Sequence, residues 1–158
     1  MMKRQTSWTV LFLLVFMSSL AACDRQGDPT YDEASRDLEM LIDDALVAGL
    51  NGRSAPPKAI VKQEICVDQE LAPTGQVQPS YRYHFPIDSL GPEPDGASFV
   101  QAVEEEWRIN GMSAERSSSP GMVESFGSGR GFTLHAFVNF NTNMVLVAGN
   151  GPCVKKPS

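Results

Sequence analysis

Phe132-Thr133-Leu134-His135-Ala136-Phe137-Val138-Asn139-Phe140, Asn141-Thr142-Asn143 and Met144-Val145-Leu146-Val147-Ala148 follow one another and decide the fold. Two runs rich in β-branched and aromatic residues flank three short polar ones, which predicts an antiparallel hairpin. Working upstream, Gly127 to Gly131 (GSGRG) predicts a flexible turn, Met122 to Phe126 a short strand, and Ser117 to Gly121 (SSSPG) a loop. A helix starts near Ser98, with Gln101 three residues on as a capping partner. Phe99, Val100, Val103, Trp107 and Ile109 form its inner stripe, and Asn110-Gly111 its left-handed end. Tyr81 to Ile87 predicts a strand with Tyr81, Tyr83 and Phe85 on one face and Pro86 closing its ladder. LAPTGQVQPS, residues 71–80, predicts a turn, and Lys58 to Asp68 a strand that contains Cys66. Thr30-Tyr31-Asp32-Glu33 matches a capping box before apolar residues at helical spacing from Tyr31 to Leu46, ended by Gly49 and Gly52. The order is α-β-β-α-β-β-β, an α+β domain with two helices packed on one face of an antiparallel sheet and one disulfide.

The amino terminus carries a different message. Met1-Met2-Lys3-Arg4 precedes an apolar stretch of about 15 residues, shorter than the roughly 20 of a spanning helix, and then small residues. That layout is a secretory signal. Leu20-Ala21-Ala22-Cys23 resembles a bacterial lipobox, in which the cysteine thiol takes a diacylglyceryl group and the leader is cut off before it. Two acyl chains give a stable anchor where one binds reversibly. The expected organisation is a lipoprotein signal peptide over 1–22, a lipidated tether over 23–29 and one domain over 30–158. The alternative is cleavage after Ala21, leaving Cys23 a plain thiol. Asp24 follows the cysteine; in enteric-type lipoproteins an aspartate there is associated with inner-membrane retention, and in a single-membrane organism it has no such meaning.

Loss of the leader removes Lys3 and Arg4 and takes the net charge from −6 to −8. An acidic domain disfavours nucleic acid and anionic lipid, so the tether on Cys23 and not the surface is expected to hold the protein to the membrane. With Cys23 lipidated, Cys66 and Cys153 remain. In an oxidising compartment they are expected to pair; two separate thiols are the alternative.

Together the lipobox, Trp107-x-x-x-Gly111, Gly131-Phe132-Thr133-Leu134 and the terminal Pro152-Cys153 are similar to the small lipoproteins common in actinobacteria. The resemblance is spread over the mature chain, and it implies an envelope location and a disulfide staple rather than a reaction.

Residues capable of chemistry are few. His84 and His135 lack the third ligand and the spacing of a metal site, so no metal and no cofactor are expected. Glu104-Glu105-Glu106 points in different directions around a helix and predicts a solvated face. GSGRG is neither a nucleophile elbow nor a phosphate loop. Tyr81, Tyr83, Phe85, Trp107, Phe132 and Phe137 could line an apolar pocket, but fit a core better. The expectation is a monomeric, non-enzymatic binding module on the extracytoplasmic face of the membrane, with an envelope protein as partner. A carrier of a lipid or small apolar ligand is the alternative, and an envelope hydrolase a weaker third. Contact with a partner is expected through the loops near Pro92 to Gly96 and Ser117 to Arg130.

Overall fold

The computed structural model describes residues 28–53, 60–91 and 95–157. The leader, Cys23 and most of the tether therefore lie outside the described residues. Two helices, α1 (Tyr31–Leu50) and α2 (Gly96–Ile109), pack against one antiparallel sheet. Its strands are β1 (Ile60–Val67), β2 (Pro73–Pro86), β3 (Ser113–Ser119), β4 (Met122–Gly129), β5 (Phe132–Asn139), β6 (Met144–Asn150) and the short β7 (Val154–Lys155). Their order across the sheet is β1-β2-β6-β5-β4-β3, with β7 also paired to β2. This is the expected α+β architecture with two further strands, β3 and β7.

Local chemistry explains the helices. The Thr30 hydroxyl accepts from the Glu33 N–H at 3.3 Å, and the Glu33 carboxylate accepts from the Thr30 N–H at 2.8 Å, closing the capping box. Asn51, at φ 49°, stops α1 in the left-handed region. Gly49 does not end the helix. It lies inside it, where a Cβ would come 2.6 Å from the Phe99 ring, so its absence lets α1 approach α2. α2 starts earlier than Ser98, because the Asp95 carboxylate accepts from the Ser98 N–H at 2.7 Å. Ile109 leaves the inner stripe and is 78 % exposed.

Two predicted irregular segments are strand. Residues 73–80 belong to β2, and the turn is confined to the residues before them, where Asp68 Oδ1 accepts from the N–H groups of Glu70 and Ala72 at 2.9 Å. Pro79 survives inside β2 because its position faces the gap between β6 and β7. There only a carbonyl is needed, and it accepts from the Gly151 N–H at 2.8 Å. Ser117 to Arg130 is mostly the β3–β4 hairpin rather than a loop, with turns at Pro120-Gly121 and Arg130-Gly131. Polar β3 has no apolar alternation, but pairing with β4 along its whole length supplies its ladder.

The main core cluster lies between helices and sheet, and a smaller one gathers Ala34, Val77 and Val154 with Tyr31 against them. Leu38, Ile42, Leu46, Phe99, Val103 and Trp107 meet Tyr81, Phe85, Leu134, Val138, Val145 and Val147. Trp107 lies on Gly127, where a Cβ would stand 2.9 Å from its ring. The disulfide between Cys66 and Cys153, with Cα atoms 6.1 Å apart, ties the bulged end of β1 to the segment entering β7. It closes a loop of 87 residues, and the constraint is worth about 4–5 kcal/mol in the chain-entropy model. No helix among the described residues is long and apolar enough to cross a membrane.

Candidate functional site

Residues alternate across a strand, so each strand divides its side chains between two faces. In β5, Phe132, Leu134, Ala136 and Val138 turn to the helices and are buried. Thr133, His135, Phe137 and Asn139 turn to the other face, which neither helix covers. The register lines up this open face in rows. One row runs Arg82, Ala148, His135, Phe126, Glu115, and the next His84, Leu146, Phe137, Glu124, Ser117.

An aromatic group occupies the middle of these rows. The Phe126 ring stacks on the His135 imidazole with centroids 4.2 Å apart and planes 11° off parallel. His135 also meets Phe137 at 5.3 Å. His135 Nε2 lies 3.1 Å from Glu124 Oε2, and Glu124 accepts from the Ser117 hydroxyl at 2.9 Å. The imidazole is thus fixed by two rings and a carboxylate. Phe126 remains 51 % exposed. Beside it is an open groove of about 400 Å³, lined by Arg82, Phe126, His135, Leu146 and Ala148 among others. A ring, an imidazole, a guanidinium and an aliphatic floor can together take an apolar side chain and pair with polar groups around it.

Other polar groups serve the fold. Glu104 is a correction to the expected solvated face: its side chain is 3 % exposed, while Glu105 remains outside. It accepts from Arg116 Nε at 2.9 Å and pairs with Arg108. Burial pushes its carboxyl up. The hydrogen bond and charge of Arg116, the charge of Arg108 and a bond from Ser125 outweigh burial and hold it below the ordinary carboxylate range. On the other helix, Asp43 accepts from the Tyr83 hydroxyl at 2.9 Å and, with Glu39, stands 3.4 Å from the Tyr81 hydroxyl. Burial, then the Tyr83 hydroxyl, then the Asp43 charge push the Tyr81 phenol up, so it stays a neutral donor.

The other expected site residues fall as follows. Cys66 and Cys153 are joined. Cys23 lies outside the described residues. His84 and His135 share the open face but sit on β2 and β5 with β6 between them and two residues of offset along the strands, about 12 Å apart by sheet geometry, too far to share an ion directly. Tyr81, Tyr83, Phe85, Trp107 and Phe132 fill the core, whereas Phe137 belongs to the open face. Of the loops expected to meet a partner, residues 92–94 lie outside the described residues and 117–130 form the β3–β4 hairpin. The open-face group was missed because composition hides it; the alternation within Phe132 to Asn139 was its only signal. No protein-family model, curated protein or solved structure matches the chain significantly.

Proposed function

We propose that the protein is a lipid-anchored module of the cell envelope that binds a protein partner through the open face of its sheet and catalyses no reaction. The observation that carries this is the half-exposed Phe126–His135–Phe137 group, held on a stapled sheet face that neither α1 nor α2 covers. Rigid aromatic anchors with a polar rim are the usual chemistry of protein recognition. The lipobox at Cys23 supplies the membrane tether, and the acidic mature chain keeps the domain off the lipid surface. The carrier alternative has less behind it, since the rings that would line an internal pocket are taken up by packing.

The test places a photo-crosslinking amino acid at Phe126 or, as a control, at exposed Val47 on α1, in cells. One recurrent protein adduct from position 126, absent from 47 and reduced by Cys23→Ala, is the expected result. Equal adducts from both positions, or a lipid or small molecule co-purifying in place of a protein, would overturn the proposal. Incorporation of labelled fatty acid that persists in Cys23→Ala would remove the anchor.

A further inference from the structure

β1 is an outermost strand, paired with β2 alone among the described residues. Its register with β2 decides which of its backbone groups remain unpaired. Gln63 stands opposite Pro79, which has no N–H and gives its carbonyl to Gly151 on the far side. Gln63 and Pro79 therefore exchange no hydrogen bonds, and the N–H and C=O of Val61, Gln63 and Ile65 point away from β2 along the free edge. The side chains do not hide this edge: Val61 is 48 % and Ile65 65 % exposed, and Val67 is also open. An apolar edge that the described residues leave uncovered invites pairing with another strand.

The short sequence Val61-Lys62-Gln63-Glu64-Ile65 is complementary to itself when run antiparallel. With Gln63 opposite Gln63 of a second copy, Val61 meets Ile65 on one face and Lys62 meets Glu64 on the other, twice each by symmetry. The outward groups of 61, 63 and 65 then fall in mutually hydrogen-bonded pairs, giving six backbone bonds. Lys62 and Glu64 fall in the pairs without such bonds, where side chains lie closest. Shifting the register by two residues would place lysine against lysine or glutamate against glutamate. We propose that β1 is a homodimerisation edge, and that two copies of this chain join through antiparallel β1–β1 pairing centred on Gln63. The two-fold axis stands perpendicular to the sheet, so all four helices share one side and the two open faces become one continuous surface. The proposal replaces the expected monomer and does not depend on the identity of any other partner.

The test uses the full chain in its native membranes with single cysteines on β1, a thiol count confirming that Cys66–Cys153 stays closed. Gln63→Cys should form a disulfide dimer on mild oxidation, because paired Cα atoms at such a site are about 5.5 Å apart. Val61→Cys alone and Ile65→Cys alone should not, since four residues of offset put identical positions about 14 Å apart. The two variants co-expressed should cross-link to each other. Lys62→Glu should lower the Gln63→Cys dimer about five- to tenfold by setting like charges opposite, and adding Glu64→Lys should restore it. No dimer from Gln63→Cys, equal dimer from all three positions, indifference to the charge reversals, or cross-linking to a different protein would each overturn the proposal.

Discussion

Among the described residues Glu104 is the one deeply buried carboxylate, held between two arginines, and replacing it tests whether that pairing stabilises the α2–β3 contact. Glu104→Gln keeps the shape and removes the charge. Hydrogen bonds to a charged group contribute about 1.5–3 kcal/mol each, and removing one partner of a fully buried pair costs about 3–5 kcal/mol. Here Arg108 and Arg116 are 51 % and 36 % exposed, so water screens part of the interaction. A loss of about 2 kcal/mol follows, or roughly 6–10 °C in Tm for a domain of this size. Its pH dependence is the sharper part. The Glu104 carboxyl lies below its ordinary 4.5, so the native state holds the ionised form more strongly than the unfolded chain does. That stability is fully present above the unfolded value and is lost as pH falls through the lower folded one. The gap between wild type and Glu104→Gln, measured by urea unfolding, should be widest near neutrality and narrow as pH falls below the ordinary carboxylate value of 4.5. A gap below about 0.5 kcal/mol at neutrality, within the range of an ordinary surface change, or one that does not shrink in acid, would refute the reasoning.

Replacing both Cys66 and Cys153 with serine should cost about 4–5 kcal/mol in denaturant unfolding, as should reducing the native protein; a loss under about 1 kcal/mol would mean that the reduced chain keeps its ends together by other contacts. Gly49→Ala should destabilise by about 1–3 kcal/mol, because the new methyl must push aside Phe99 and Val103, 2.6 and 3.0 Å from its position. A neutral or stabilising result would show that the helices can separate at no cost.

How much of this was legible follows from where apolar residues report geometry. Both helices carry stripes and caps, and β5 and β6 are dense in valine and phenylalanine, so they could be read directly. β3 could not, because Ser113-Ala114-Glu115-Arg116-Ser117-Ser118-Ser119 buries almost nothing; pairing with β4 makes it a strand. The first half of β2 was concealed by Pro73, Gly75 and Pro79, residues that signal turns but sit where no ladder bond is lost. Glu104 looked like its neighbours Glu105 and Glu106 because helical position separates one of three adjacent acids from the other two, and only the partners Arg108 and Arg116 show which one turns inward. The disulfide was legible from cysteine arithmetic, while the aromatic group on the open face required knowing that Phe132 and Phe137 differ by an odd number of residues and so face opposite ways.

An open sheet face is not in itself a sign of binding, since antiparallel sheets commonly face water on one side. Contrast between neighbouring rows is what matters. The row through Asn150, Thr133, Ser128 and Ser113, with buried Ser80 at its β2 end, is what a solvated face requires: short, polar side chains that lose little in water. One step along the same strands, Phe126 and His135 stack in the open and Phe137 and Leu146 lie beside them. Burying the exposed part of Phe126 alone would gain on the order of 1 kcal/mol by area. Phe126→Ala gives up only the packed half of the ring and its stacking on His135, so it should cost about 1–2 kcal/mol and leave the domain folded, while lowering partner capture by a photo-crosslinking amino acid placed at the neighbouring Leu146. If instead the substitution unfolds the domain, the open face is part of the core's support, and the binding role assigned to it fails.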